Sequence, residues 1–182
     1  VSMLVLVAVA TSTTAQQTLH FSYLWHLEQP VYWPDRRGEG PWRYERAWTS
    51  IQQKNGGQAH PLNDLDEIFG KPDRVRAYQE RPRDTVSAIS WAPEAGAQVS
   101  FSGGLVENIQ SFADAGGQLG YATNWTAPWR EARQWDSAGR GFTPRMDVVQ
   151  FAFHHPLLPL CPDEVVSKDL ALYAAVYPQA WG

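Results

Sequence analysis

Leu19, Phe21, Tyr23 and Trp25 alternate with His20, Ser22 and Leu24, and the chain then meets Pro30 and Pro34. An aromatic-rich run with a period of two predicts a strand of about eight residues, largely buried. Proline has no amide hydrogen to give to a ladder, so Pro30 and Pro34 are expected to turn the chain out of the sheet into a loop. Side chains at i and i+2 point to the same side of a strand. His26 and Glu28 are therefore expected to project together from its C-terminal end, with Gln29, Tyr32 and Trp33 beside them. An imidazole, a carboxylate, an amide and two aromatic rings suit a sugar, which offers hydroxyls at its rim and apolar C–H faces. The same residues also fit a buried strand with one satisfied histidine and a proline loop.

Further along, Asp35–Gly40 reads as a polar turn and 41–53 as an amphipathic helix led by Pro41, ending at Asn55-Gly56-Gly57. A short helix is expected around Leu65–Phe69, and Asp73–Glu80 reads as a charged, solvated helical face. Gln98–Ser102 alternates as a second strand. Gly103-Gly104 closes it, and Leu105, Ile109 and Phe112 mark a helix that stops at Gly116-Gly117. The segment 121–143, with Trp125, Trp129 and Trp135, is long for a connection. It reads either as a functional loop or as an insertion packed on its tryptophans. Asp147–Phe153 is a third strand running into His154-His155-Pro156. Pro162-Asp163-Glu164 then opens a last helix whose apolar stripe runs from Val165 to Tyr177. Strands and helices in this order predict a parallel α/β sheet with functional groups collected at the C-terminal strand ends.

Composition narrows the function classes. The chain has 182 residues and a net charge of −4, which gives no electrostatic footprint for nucleic acid. Nine tryptophans suit stacking on flat apolar ligand faces as well as core packing. The single Cys161 excludes an internal disulfide framework, and no Cys/His spacing resembles a zinc finger. Met3–Ala10 is an apolar run too short for a membrane span. Followed by small and polar residues, it reads as the h-region of a signal peptide over 1–17, leaving 18–182 as the folded domain. That assignment implies a secreted or periplasmic protein, and its alternative, an N-terminal core strand, a cytoplasmic one. Asn124-Trp125-Thr126 fits a glycosylation sequon.

Two segments resemble a known family. His26-Leu27-Glu28-Gln29-Pro30 is similar to the His-x-His-Gln-Pro run that opens glycoside hydrolase family 57, with Glu28 in place of the second histidine. DVVQFAFHHPLLPLCP resembles that family's second conserved region, and VSFSGGLVENIQSFADAG is compatible with its second barrel strand and helix. The resemblance implies a parallel (β/α)7 TIM-like barrel acting with retention on an α-glucan or oligosaccharide substrate, without a cofactor. It also implies a glutamate nucleophile soon after the last helix and a distant aspartate. Pro178–Gly182 looks like the start of the nucleophile region, so no residue of this chain inherits a catalytic role. The chain then corresponds to the N-terminal portion of the barrel, a carbohydrate-active fragment with His26, Glu28, Gln29, Trp33, His154 and His155 as substrate-binding residues. Two alternatives stand beside it. One is a metal-dependent hydrolase using His26, Glu28 and His154 or His155 as ligands. The other is a non-catalytic carbohydrate-binding scaffold.

Overall fold

A computed structural model describes residues 24–35, 43–57, 64–136 and 144–182. The apolar N-terminal run and the first half of the alternating stretch lie outside them. The first described strand, β1, covers Leu24–Leu27. It lies beside β4 (Ala97–Phe101), and β4 lies beside β5 (Met146–Val149). Both pairings are parallel, with His26 opposite Ser100 and Ser100 opposite Val149. All three C-terminal ends thus share one edge, as the order of elements in the sequence predicts. The third strand is shorter than expected and ends at Val149.

Parallel neighbours need long crossovers. Between β1 and β4 the chain makes a hairpin of β2 (Trp33–Asp35) and β3 (Arg43–Glu45), then the helices α1 (Ala47–Asn55), α2 (Leu65–Gly70), α3 (Pro72–Gln79) and α4 (Arg81–Ala88). The hairpin corrects two expectations. Pro34 does not end pairing, because a two-stranded ribbon has an outer edge on each strand where the absent N–H breaks no ladder. The helix expected from Pro41 begins only at Ala47, since Arg43–Glu45 is taken up by β3. The buried Glu45 carboxylate accepts from Ser50 Oγ at 3.1 Å and Gln53 Nε2 at 2.8 Å, tying the hairpin to α1. The charged helix expected over Asp73–Glu80 is α3, and α4 follows it as a helix not anticipated from the sequence; each is opened by an early proline, Pro72 and Pro82.

From β4 to β5 the crossover runs through α5 (Gly103–Asp114) and α6 (Ala127–Arg133). The latter sits in the tryptophan-rich segment, which is a packed insertion rather than an open loop: Trp125 and Trp129 are buried. The last helix, α7 (Asp163–Trp181), runs past Pro178 to bury Trp181. The core centres on Phe101. Its ring lies 5.1 Å from Trp181, 5.5 Å from Trp129, 5.8 Å from Trp125 and 6.3 Å from Tyr78. Among the described tryptophans, Trp125, Trp129 and Trp181 are therefore core, whereas Trp91 is 82% exposed.

The two faces of the sheet differ. Val99, Phe101, Met146 and Val148 are buried. Of the residues between them in register, Ser100 is buried, whereas Leu24, Gln98, Asp147 and Val149 are exposed or half-buried, and Leu24 is 50% exposed. Parallel sheets are generally covered on both faces. Among the described residues the sheet is open, with three strands. No described helix is long and apolar enough to cross a membrane.

Candidate functional site

Three strand ends meet over the first turn of α5, and glycine lets them do so. Ser102 caps the helix, its hydroxyl accepting from Leu105 N at 3.2 Å. A Cβ on Gly103 would overlap the Phe153 ring, and one on Gly104 would meet the Gln29 carbonyl oxygen at 3.0 Å. The absence of both side chains brings the loop after β1 and the loop after β5 onto the same helical turn. Gly104 N–H donates to Phe153 O at 3.1 Å, and Asn108 Nδ2 donates to Pro30 O at 3.1 Å. The glycine pair that closes the second strand is thus the point where the site is gathered.

On the accessible side of the sheet, two histidines from opposite ends of the chain touch. His26 Nε2 and His155 Nε2 lie 2.8 Å apart, and the ring centroids 4.7 Å. One ring must donate and the other accept, so at least one of the two is neutral when they touch. His26 Nδ1 is 2.7 Å from Ser100 Oγ, its register neighbour on β4. Phe151 lies against both imidazoles, at 5.7 Å from His26 and 4.8 Å from His155. His155 reaches this position with φ at 56°, in the left-handed region. For a residue other than glycine that conformation costs about 1–2 kcal/mol, and the surrounding structure must impose it.

His154 goes the other way. Its Nδ1 is 2.5 Å from Asp169 Oδ1, and its backbone N–H lies 3.3 Å from both carboxylate oxygens. Asp169 is buried in α7. The two neighbouring histidines therefore divide, and only His155 joins His26.

Glu28 does not pair with His26. The strand stops at Leu27, so alternation no longer fixes the direction of the next side chain. No hydrogen bond or ion pair joins Glu28 to His26; its electrostatic neighbours are the hydroxyls of Tyr32 and Tyr78. Gln29 links those tyrosines: its Nε2 donates to Tyr78 Oη at 2.9 Å, and Tyr32 donates to its Oε1. Burial pushes both phenols up, with the Glu28 carboxylate adding to it and Arg74 opposing. Trp33 stands in β2, its backbone paired with Glu45. The imidazole pair with Phe151 and Ser100 thus lies on the accessible face, whereas Gln29 at the end of β1 is tied to Tyr32 and Tyr78, which pack against the core.

This geometry corrects the metal-ligand expectation. Among the described residues no three His, Cys, Asp or Glu side chains gather closely enough to hold a metal ion. Glu28 makes no hydrogen bond or ion pair with His26, and His154 is occupied by Asp169, so neither completes a set with His26. Ser100, Phe151, Tyr78 and Asp169 were not anticipated. Asp169 carries a readable signal, since it falls in the buried stripe of α7 with Tyr173 four residues on. An acid in such a stripe demands a partner.

Comparison with known proteins gives one informative similarity. A stretch of 128 residues, 69% of the chain, is 29% identical to an alpha-amylase from Niallia circulans. The match spans only 10% of that protein's length. No family model and no solved structure matches the chain.

Proposed function

We propose that this chain forms the sugar-binding side of the cleft of a carbohydrate-active enzyme, a family 57 glycoside hydrolase or glucanotransferase acting on α-glucans. The observation that carries the reading is the contact of His26 with His155 across the C-terminal ends of a parallel sheet. Parallel α/β folds place their ligands at that edge. The similarity to an alpha-amylase supports a polysaccharide substrate, and the His26–Pro30 run and the Asp147–Pro162 segment support the family. The accessible sheet face is the one a barrel turns inward, and the chain is read as the N-terminal portion of that barrel.

In this reading the imidazole pair donates to and accepts from sugar hydroxyls, and Phe151 offers its ring to a C–H face. Glu28, Gln29 and Trp33 are read as further substrate contacts. Retaining hydrolysis needs two carboxyl groups about 5–5.5 Å apart. Glu28 stands at the end of β1, Asp169 is taken up by His154, and Asp147 pairs with Gln98 toward the start of its strand. The chain by itself therefore binds without turnover, and the catalytic carboxylates belong to the remainder of the enzyme.

The test is an NMR titration of the chain with maltoheptaose. Imidazole resonances of His26 and His155 are expected to shift saturably with no release of shorter sugars. Absence of binding, or shifts remote from the strand ends, would overturn the assignment. Hydrolysis by the chain alone would overturn the division between binding and catalysis.

A further inference from the structure

We propose that Asp169 is the positioning residue of the imidazole pair. It holds His154 by two arms, and so fixes the left-handed backbone at His155 that aims the next imidazole at His26. The inference rests on the imidazole pair being the functional group of the site, but not on which ligand the pair binds.

Consider what His155 requires. Its φ of 56° is unfavourable for a side chain with a Cβ, and it precedes Pro156, which further restricts the residue before it. Nothing in its own chemistry selects that conformation, so its neighbours must. On the N-terminal side, Phe153 is seated over Gly103, and its carbonyl accepts from Gly104 N–H at 3.1 Å. The next residue, His154, gives both its backbone N–H and its ring Nδ1 to one carboxylate. An ionised carboxylate only accepts hydrogen bonds, so His154 carries its proton on Nδ1 toward Asp169. Two arms from one carboxylate fix the rotation of residue 154 about its own backbone, leaving His155 one direction in which to continue.

Asp169 is suited to this by burial. It is 5% exposed, and α7 spans Asp163–Trp181, so the carboxylate sits well inside a long helix anchored by Tyr173 and Trp181. A surface carboxylate would trade these bonds for water. A buried one on a rigid helix cannot, and transmits the position of α7 to the loop. His154 and His155, adjacent in sequence, thus have complementary tasks: one is held so that the other can reach.

The experiment compares Asp169→Ala with Asp169→Asn by NMR in the whole chain. The amide oxygen of Asn keeps one acceptor for His154, while Ala keeps none. In the parent, a nuclear Overhauser contact between the His26 and His155 rings is expected. In Asp169→Ala, with dispersed amide spectra retained, the ring contact is lost. Asp169→Asn restores the contact at least in part. An unchanged contact in Asp169→Ala would overturn the proposal. Should that variant fail to fold, His154→Ala decides: it removes one arm only, and an undiminished His26–His155 contact there would overturn the proposal equally. Maltoheptaose affinity is followed in parallel. A parent that shows the ring contact but binds no sugar would count against the proposed substrate and leave the role of Asp169 decided by the contact.

Discussion

Replacing Gly103 with alanine tests whether the first turn of α5 builds the site. Of the three atoms of Phe153 nearest to the new Cβ, the farthest, Cε2, would stand 2.6 Å away, whereas ordinary contact begins at 3.4 Å. Phe153 has little room to withdraw. Its carbonyl is bonded to Gly104 N–H, its own exposure is 3%, and the residue after it is clasped by Asp169. Overpacking of this kind costs about 1–3 kcal/mol. Alanine's better helix propensity offsets at most about 1 kcal/mol, less at a first helical position. The expected net loss is about 1–2 kcal/mol, read as a lower urea midpoint at constant slope. For a chain of this length that corresponds to about 2–4 °C in Tm per kcal/mol. The His26–His155 ring contact should weaken as well, because the displaced segment carries His155. A Gly103→Ala, Phe153→Leu double variant should recover part of the loss, the signature of residues in direct contact. Gly116→Ala is the control. Its φ is 85° with nothing within 4 Å of the added Cβ, so it should lose stability through backbone strain alone and leave the ring contact intact. A Gly103→Ala protein as stable as the parent, with its histidines still touching, would refute the reasoning.

Phe101→Ala, at the meeting point of Tyr78, Trp125, Trp129 and Trp181, should lose about 3–5 kcal/mol in urea unfolding. Arg145 Nη1 donates to Ala92 O at 3.1 Å and Ala95 O at 2.9 Å, and its Nε to Asp136 O at 2.8 Å. Arg145→Lys should lose at least about 1.5 kcal/mol, because an ammonium cannot span the three carbonyls. Burial pushes the Tyr173 hydroxyl from 10.0 up to about 12. Below pH 10 both folded and unfolded chains keep that proton, so the full stability is present. Between pH 10 and 12 the unfolded chain ionises first, and the fold should lose about 2–3 kcal/mol, a slope that Tyr173→Phe flattens. Tyr121 shifts in the same direction for the same cause and contributes to the slope that remains.

The sequence displayed the parallel sheet clearly because its evidence is local: period-two runs, helical stripes and glycines between them. The convergence of strand ends followed from their order, and the structure brings two of the named histidines together there. It hid the hairpin, since Trp33–Asp35 and Arg43–Glu45 are three residues each, too short for alternation to mark them as strands. It also hid where Glu28 points, because alternation holds only while the strand lasts and β1 ends one residue earlier. The tryptophans were ambiguous for a physical reason: an indole that stacks on a sugar and one that fills a core have the same composition. Trp125, Trp129 and Trp181 prove to be core. Ser100 is unremarkable in a strand until register sets it beside His26, and only tertiary structure supplies register.

The contact of His26 with His155, across a sequence separation of 129, has a further meaning. It joins nearly the first described strand to the loop behind the last, so it cannot form until the intervening crossovers have docked and β5 has found β4. A molecule that grips both rings acts as a non-covalent staple across most of the chain. Its binding free energy then adds to the folding free energy as RT ln(1 + [L]/Kd), about 2.7 kcal/mol at a hundredfold excess over Kd. The unfolding transition becomes a gauge of occupancy, and any ligand that grips both rings announces itself by raising it.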